Sequence, residues 1–408
     1  MLREFFNDFK VLSRYPQLFP LCFAVFVSML GFGLVMPLLP IYARDFGATG
    51  TQLGLMTTSF AIARLITTFP GGFLADKVGR KRPVILGLLA YSVVMALYGV
   101  SQDVNQLILL RGLQGLASGV VWPPLSTMVA DVTLPKDRSK AMGLYSSMRF
   151  FGMVVGPSLG GILTNISTIA VPFYVCGALA LVSGILVTFM VEETVGTEKP
   201  DETVGSVAPD PPSRTRLKTV TPYLMTLIGL CVARFVIAFS TSLVQPVLSV
   251  YANEELGLNE AAVGVLFTMQ GLITLFATLP IGSVGDKTGR KRLIIFGKLL
   301  DVVSVTLLIV IGGFWQAVFV MMIRGLGRAS TNPSIIAIFT TLVPLSRRGR
   351  SMSLFNIFMN VGLVAGATVG GFLYEVSSET PFLACAAVGL IGILVVVFTV
   401  KEPKEGLH

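Results

Sequence analysis

Long apolar runs recur along this chain and limit it to one class of fold. Each run has about 20 residues, the length of helix that crosses a hydrocarbon core of about 30 Å. Hydrophobic residues make up 53% of the 408 residues and charged residues only 13%, whereas soluble domains are about a quarter charged. We therefore expect an all-α membrane protein with 12 transmembrane helices. The predicted spans are 17–42, 53–74, 83–101, 106–130, 141–164, 169–190, 220–248, 261–283, 292–313, 315–343, 352–374 and 381–400.

The basic residues predict how these spans are oriented. Of the 31 Lys and Arg, 23 lie before the first span, in the even-numbered connections or after the last span. The odd-numbered connections contain only Arg44 among basic residues. Because Lys and Arg concentrate in cytoplasmic loops, we expect a multi-pass protein of the cytoplasmic membrane with both termini in the cytoplasm. The net charge of +9 reflects this topology, and the scattered basic residues predict no nucleic-acid partner.

The reactive residue types do not form a pattern typical of an enzyme. The four cysteines lie inside spans without CxxC spacing, and the one histidine is the terminal His408. No paired carboxylates and no nucleophile–base set are visible. We expect no metal, no cofactor and no enzymatic activity.

The chain divides into two similar halves. Residues 71–83 read GGFLADKVGRKRP and residues 281–293 read IGSVGDKTGRKRL, an offset of about 210 residues. A stretch rich in Pro, Thr, Ser and acidic residues separates the halves and is typical of a flexible linker. The predicted domains are a six-helix bundle at 1–190, a cytoplasmic linker at 191–219 and a second six-helix bundle at 220–408. Duplicated bundles are an architecture of transporters, with substrate held near mid-membrane between the repeats.

The repeated loop resembles the cytoplasmic loop-2/3 signature of the major facilitator superfamily, G-x-L-a-D-r-x-G-R-[KR]. Gly72 would permit close helix approach, and Asp76 would cap the following turn or pair with Arg80 or a neighbouring arginine. Such a charged contact predicts a gate that holds one state of the transporter, although basic loops also orient helices without gating. The predicted gate residues are Gly72, Asp76, Gly79, Arg80, Lys81, Asp286, Gly289 and Arg290.

The fourth span contains LILLRGLQG, which resembles the R-x-x-q-G signature of the same superfamily. Placing a charged Arg111 inside hydrocarbon costs about 2.5–3.5 kcal/mol unless it faces protein or water. The resemblance implies a role for this arginine in proton handling and substrate contact. A buried structural hydrogen-bonding hub is the alternative.

The fifth span contains GLYSSMRFFGMVVGPSLGG. This stretch resembles the G-x8-G-x3-G-P-x2-G-G signature of the twelve-helix drug:proton antiporters. The resemblance implies a major facilitator fold of two pseudo-symmetric six-helix bundles, a monomer, and the proton gradient as energy source. In the second half, Ala367 stands where Pro157 would recur. The predicted motif residues are Gly152, Gly156, Pro157, Gly160 and Gly161.

Acidic residues are scarce inside the spans. Asp301 follows Lys298 by three residues, so the two share a helix face and can neutralise each other. The resemblance makes the ninth helix peripheral, which favours a neutral pair over a proton carrier. Asp131, at the end of the fourth span, is interpreted as part of the gate. Asp301 and Asp131 are the two candidate proton sites.

Basic residues inside the spans are more frequent than acidic ones. The resemblance makes helices one, four, seven and ten the lining of the cavity, and arginines there would attract a carboxylate or phosphate. Glutamine, asparagine and aromatic residues would complete a binding surface. The predicted coupling and substrate residues are Arg111, Gln114, Arg149, Arg234, Gln245, Asn356, Asn360, Arg324, Arg328 and Trp122.

Two functions remain open at this point. The first is proton-coupled efflux of amphipathic drugs or other small hydrophobic molecules, favoured by the antiporter signature. The second is transport of an organic, phosphorylated or lipid-like anion bound by cavity arginines, with weak or no proton coupling. In both cases the expected partners are a small-molecule substrate and the lipid bilayer.

Overall fold

A computed structural model describes residues 11–194, 224–343 and 348–402, except the side chains at 69, 224, 286 and 348–350. Twelve long helices account for most of this part of the chain and no strand occurs in it. The long helices are α1 (Leu18–Asp45), α2 (Gly50–Val78), α3 (Lys81–Gly99), α4 (Val104–Asp131), α5 (Pro135–Ile166), α6 (Val171–Met190), α7 (Leu224–Val244), α8 (Glu260–Thr288), α9 (Arg290–Val310), α10 (Phe314–Leu342), α11 (Arg348–Val376) and α12 (Thr380–Thr399).

Each predicted span coincides with one long helix, so the prediction of an all-α membrane fold is confirmed. Among the described residues, eight of the helices are long and apolar enough to cross a membrane by length and composition. The remaining four are α2, α4, α5 and α10.

The predicted seventh span, 220–248, differs from the structure near its end. Helix α7 stops at Val244, and a short helix, Leu248–Glu254, follows after one turn. Pro246 lies in this turn, and proline has no backbone N–H with which to continue a helix.

The turns that join α2 to α3 and α8 to α9 have the same construction. Gly79 and Gly289 adopt φ values of 100° and 98°, a region that side chains other than glycine rarely enter. Each glycine ends one helix and leads directly into the next. The two GRK sequences therefore begin α3 and α9 in equivalent ways.

The chain forms two compact units whose limits differ from those of the sequence repeats. The first unit comprises Met1–Lys199 together with Leu248–Thr268. Within it α1 packs on α5, α2 on α4 and α3 on α6. The second unit comprises Pro200–Val247 and Met269–His408, and there α7 packs on α11 and α12, and α9 on α10 and α12. The predicted domain limits stay a prediction, and most of the predicted linker, 195–219, lies outside the described residues.

Candidate functional site

Three charged residues of the first unit form a cluster that we call the charge latch: Asp76, Arg80 and Asp131. Nη2 of Arg80 donates to Oδ1 of Asp76 at 2.9 Å, four residues earlier in the chain. Nη1 of Arg80 pairs with Oδ2 of Asp131 at the end of α4. One guanidinium thus joins the ends of two helices, as the loop motif predicts. Asp131, predicted both as a gate residue and as a candidate proton site, is a partner in this latch.

A glutamate that the sequence analysis did not single out caps each GRK turn. Glu193, just beyond α6, accepts from the backbone N–H groups of Arg80 at 2.8 Å and Lys81 at 3.2 Å. Glu402, just beyond α12, accepts from the N–H of Arg290. These glutamates satisfy N–H groups at helix starts, which have no partner within the helix. Their repeated place after the last helix of each half was the available signal.

Two expectations about the loop motif are wrong in this structure. Asp76 does not cap α3, since Glu193 occupies that place. A methyl group at Gly72 would meet nothing within 4 Å, so close helix approach does not require this glycine. The glycine that the turn requires is Gly79. Its φ is positive, and the Glu193 carboxylate occupies the space that a side chain at this position would need. The side chain of Asp286, the predicted counterpart of Asp76, lies outside the described residues.

Arg111 occupies the centre of a buried network in the first unit that we call the Arg111 node. Its Nη1 donates to Oε1 of Gln114 at 2.6 Å, and Tyr98 Oη donates to the same oxygen at 3.1 Å. Nε2 of Gln114 donates to Tyr91 Oη at 3.2 Å. The guanidinium also lies 4.6 Å from the ring centre of Phe60, a cation–π distance. Amide, hydroxyl and ring groups therefore surround this arginine, which is 6% exposed.

Of the other predicted residues of the first unit, Trp122 reaches this node through the ring of Phe32, which contacts both Trp122 and Arg111. The indole ring of Trp122 lies 5.2 Å from the guanidinium of Arg64. Arg149 is exposed on α5, and the described residues offer it no hydrogen bond or ion pair. The structure thus joins Arg111 to Gln114 but leaves Arg149 outside the network.

Asp301 holds together two basic residues in the second unit, and we call this cluster the Asp301 node. Its Oδ2 accepts from Lys298 Nζ at 2.6 Å, and its Oδ1 accepts from Arg324 Nε at 3.2 Å. Lys298 also donates to Ser240 Oγ at 2.6 Å. The three charged side chains are between 1% and 8% exposed. The predicted Lys298–Asp301 contact is present, but the pair faces α7 and α10 rather than lying at the periphery.

A cavity of about 240 Å³ opens beside the Asp301 node within the second unit. Three basic side chains line it: Arg234 from α7, Lys298 from α9 and Arg328 from α10. Asp301 is the one carboxylate among the described residues that line it. Its other walls include Ile237, Ala238, Thr241, Gln245, Thr331, Asn332, Met359 and Leu363.

Most of the predicted arginines of the second half meet at this cavity, but the predicted asparagines do not. Arg234 donates to Oδ1 of Asn332 at 3.1 Å, and its buried Nε has no partner among the described residues. Asn332 was not predicted; its position four residues after Arg328, on the same helix face, was the available signal. Asn356 and Asn360 lie on α11 and do not line the cavity.

The glycines of the antiporter motif place α5 directly against α1. A methyl carbon at Gly152 or Gly156 would overlap the carbonyl oxygen of Phe26 or Leu30. A methyl carbon at Gly160 would lie 2.8 Å from the Leu34 side chain. In the second unit Gly362, Gly366 and Gly370 on α11 face the backbone of α7 in the same way. Close packing by glycine thus recurs in both halves, whereas the proline does not.

Next to Pro157, the side-chain hydroxyl of Thr268 from α8 hydrogen-bonds to the backbone of α5. Oγ1 of Thr268 donates to the carbonyl of Val154 at 2.8 Å and accepts from the backbone N–H of Ser158 at 3.2 Å. It therefore bridges the donor and acceptor that would otherwise bond to each other within the helix. Gly161 contacts the backbone of Glu260 beside it, also within the first unit. The motif thus packs α5 against the first part of α8, and no sequence pattern indicated Thr268.

Asp137 ties the start of α5 to the residues that precede α1. Tyr15 Oη donates to its Oδ2 at 2.9 Å, and Arg14 Nη1 donates to the same oxygen at 3.0 Å. The Tyr15 hydrogen bond, together with the positive charge of Arg14, lowers the pKa of Asp137. The carboxylate therefore remains ionised and keeps both contacts at neutral pH.

Comparison with known proteins agrees with this architecture. The chain is 28% identical over 384 residues to the quinolone resistance protein NorA of Staphylococcus aureus, covering 93% of this chain and 95% of NorA. It is 27% identical over 375 residues to multidrug resistance protein 2 of Bacillus subtilis, covering 90% and 91% of the two chains.

Two solved structures share the fold. The inward-facing, unoccupied structure of a bacterial homologue of the human lysosomal transporter Spinster matches with a TM-score of 0.74 and 16% identity over 95% of this chain and 94% of that chain. The nucleoside transporter NupG matches with a TM-score of 0.78 and 13% identity over 94% and 100% of the chains. The family model of the Major Facilitator Superfamily matches residues 21–233 and 230–408. The chain therefore belongs to the major facilitator superfamily and is a membrane transporter whose relatives include a quinolone resistance protein and a multidrug resistance protein.

Proposed function

We propose that this transporter is a secondary active exporter of amphipathic small molecules, driven by the proton gradient. The observation that carries the proposal is the similarity to two drug resistance proteins along nearly the whole chain. A shared fold alone would not support it, because one fold hosts many functions. The expected setting is the cytoplasmic membrane, with both termini in the cytoplasm, one chain as the working unit and no cofactor.

The charge latch gives the proposed cycle a physical basis. Its three residues link the ends of α2, α3 and α4 on the side that the basic loops assign to the cytoplasm. Alternating access requires helix ends to separate on one side while those on the other side close. The latch would favour the state in which the ends of α2 and α4 lie close together. Neutralising Asp76 should therefore slow the cycle without changing which substrate binds.

Asp301 is the proposed site of proton exchange. It lines the cavity of the second unit and is held by Lys298 and Arg324. A proton on Asp301 would remove the negative charge that holds these two side chains, and so would change the packing of α9 against α10.

The lining of the cavity favours a second candidate, an exporter of organic anions with weak proton coupling. Its basic side chains outnumber its single carboxylate. A membrane potential that is negative inside drives an anion outward with about 2.3 kcal/mol per charge for each 100 mV. Such an exporter would therefore need no exchanged proton.

Transport by the purified full-length protein in proteoliposomes tests the proposal. Cationic, neutral and anionic fluorescent amphipaths would be offered separately, first with a pH gradient and then with a membrane potential alone. We expect at least one class to move faster than in protein-free vesicles and to slow in Asp76→Asn. Dependence on the pH gradient that is lost in Asp301→Asn would support proton coupling, and dependence on potential alone would support the second candidate. If no amphipath moves under either gradient, the proposed function is wrong.

A further inference from the structure

The cavity of the second unit contains more positive charge than its own carboxylate can neutralise. Arg234, Lys298 and Arg328 line it, and Arg324 lies directly behind. Asp301 uses one oxygen on Lys298 and the other on Arg324. Each oxygen thus already accepts a hydrogen bond from a cation, and Arg234 and Arg328 form no ion pair with a carboxylate among the described residues.

Neither arginine is satisfied by neutral groups. Arg234 is 8% exposed and contacts Asn332 and the sulfur of Met359, and its Nε is buried without a partner. Arg328 makes no hydrogen bond or ion pair with any residue that the structure describes. A guanidinium stays charged at any physiological pH. Arg234 is buried with one nitrogen unpartnered, and Arg328 is half-buried, so neither positive charge is balanced by the residues around it. Such an arrangement is typical of a site completed by a ligand of opposite charge.

The shape of the cavity limits what this ligand is. Its volume of about 240 Å³ is below the roughly 300–1,000 Å³ of pockets that enclose a whole drug-sized molecule. The cavity therefore suits the charged head and first ring of a larger molecule. Guanidinium groups match carboxylate and phosphate oxygens in pairs, and Ile237, Ala238 and Leu363 supply apolar walls.

We propose that this cavity is the anion subsite of the transporter, in which Arg234 and Arg328 bind a carboxylate or phosphate carried on an apolar body. The inference rests on the proposed export of amphipathic molecules and names their charged group. The same positive field repels an ammonium group. A soluble organic anion and the headgroup of a single-chain anionic lipid share this chemistry.

Binding to the purified full-length protein in lipid nanodiscs tests the proposal. The probes share one ring system and differ in charge: 2-naphthyl phosphate, 2-naphthoate, neutral 2-naphthalenemethanol and (2-naphthylmethyl)trimethylammonium. Lysophosphatidate represents the lipid source. We expect the wild-type protein to bind the two naphthyl anions at least about tenfold more tightly than the neutral probe and the cation. Tighter binding of lysophosphatidate than of 2-naphthyl phosphate would identify a lipid as the source, and the reverse would identify a soluble anion.

Variants assign the binding to the two arginines. Arg234→Gln and Arg328→Gln should each weaken binding of 2-naphthyl phosphate at least about tenfold. The affinity of Arg328→Lys for 2-naphthyl phosphate should lie between those of wild type and Arg328→Gln. Lysine keeps the positive charge but cannot donate the two parallel hydrogen bonds of a guanidinium. The matched control is Arg292→Gln, the same substitution at an exposed arginine near the start of α9, and it should leave affinity within about twofold of wild type. Thermal melting and gel filtration show which variants are folded. If no variant is folded, the selectivity of the wild-type protein for anions over the cation decides whether the proposal holds.

The result that would overturn the proposal is a cation that binds as tightly as the anions, or an affinity for 2-naphthyl phosphate that both folded Arg→Gln variants retain. Its failure is distinguishable from failure of the export proposal. Amphipath export without anion preference would leave the exporter intact and remove the subsite. Anion binding that depends on Arg234 and Arg328 without any transport would support the subsite and contradict the export proposal.

Discussion

Equivalent positions of the two halves surround their arginines in different ways. Arg111 in α4 and Arg324 in α10 occupy matching places in the stretches RGLQG and RGLGR. Around Arg111 the partners are Gln114 and two aromatic rings, whereas Arg324 bonds to Asp301. A neutral polar shell in one half thus corresponds to a fully charged one in the other.

Changes at repeated positions account for this difference, and one is at Gln114, which corresponds to Gly327 with the offset of the arginines. With the offset of the GRK turns, Tyr91 corresponds to Asp301 and Leu88 to Lys298. With the offset of the arginines, Gly115 corresponds to Arg328. A tyrosine and two uncharged residues in the first half thus correspond to an acid and two bases in the second half. The repeated positions therefore form the uncharged surroundings of Arg111 in one half and a charged cavity in the other.

The largest expected effect comes from removing the one carboxylate of the Asp301 node. Asp301→Asn leaves Lys298 and Arg324 buried without a counter-charge, and breaking a buried pair costs about 3–5 kcal/mol. Thermal unfolding of the purified protein in detergent should show a clear loss of stability. The same stability as wild type would mean that the node is hydrated and gains little from its charge pairing.

A smaller effect is expected where glycines bring backbones together. Gly156→Ala and Gly366→Ala would push a methyl group into the carbonyl oxygen of Leu30 or Phe239, and overpacking costs about 1–3 kcal/mol. Both should lower the unfolding temperature by similar amounts, because this packing is common to the two halves. Gly143→Ala, on α5 with open space around it, is the control. A harmless Gly366→Ala beside a damaging Gly156→Ala would show that only the first half depends on the glycines.

The Thr268 hydroxyl that hydrogen-bonds to α5 should contribute about 1 kcal/mol or more to the free energy of unfolding. Thr268→Val keeps the size of the side chain but leaves the carbonyl of Val154 without its partner, and an unsatisfied buried acceptor costs about 1–3 kcal/mol. Thr268→Ser keeps the hydroxyl and should be milder. Equal stability of the two variants would exclude a role for this hydrogen bond.

A smaller effect than at Asp301 is expected at the Arg111 node. Tyr91→Phe removes one hydroxyl, which donates to the carbonyl of Ser28 at 3.1 Å and accepts from Gln114. We expect a loss of about 1–3 kcal/mol, the range for two hydrogen bonds of about 0.5–1.5 kcal/mol each, measured by the same thermal unfolding. Because Tyr91 and Asp301 are repeated positions, the pair of variants compares the two nodes directly. A loss at Tyr91 as large as that at Asp301 would contradict the contrast between them.

The sequence predicted much of this arrangement because helices have regular spacing. The spans follow from apolar length, and the Lys298–Asp301 contact follows from its i,i+3 spacing on one helix. The Arg324 contact to Asp301 does not, because it depends on how α9 packs against α10. Glu193 was equally hidden, since it reaches a turn 113 residues earlier and no local rule joins the two. The entry of Thr268 into α5 also depends on tertiary packing, so only coordinates reveal it.

Transport selectivity tests the central claim most directly: this transporter moves amphipaths whose charge is read by the basic cavity of its second unit. Proteoliposomes containing wild type, Arg328→Gln or Arg292→Gln would be compared for movement of 2-naphthyl phosphate and (2-naphthylmethyl)trimethylammonium. The account predicts that wild type and Arg292→Gln move the phosphate in preference to the cation, and that Arg328→Gln moves the phosphate at least about tenfold more slowly at a limiting concentration. Equal or faster movement of the cation, or an unchanged rate in Arg328→Gln, would contradict it.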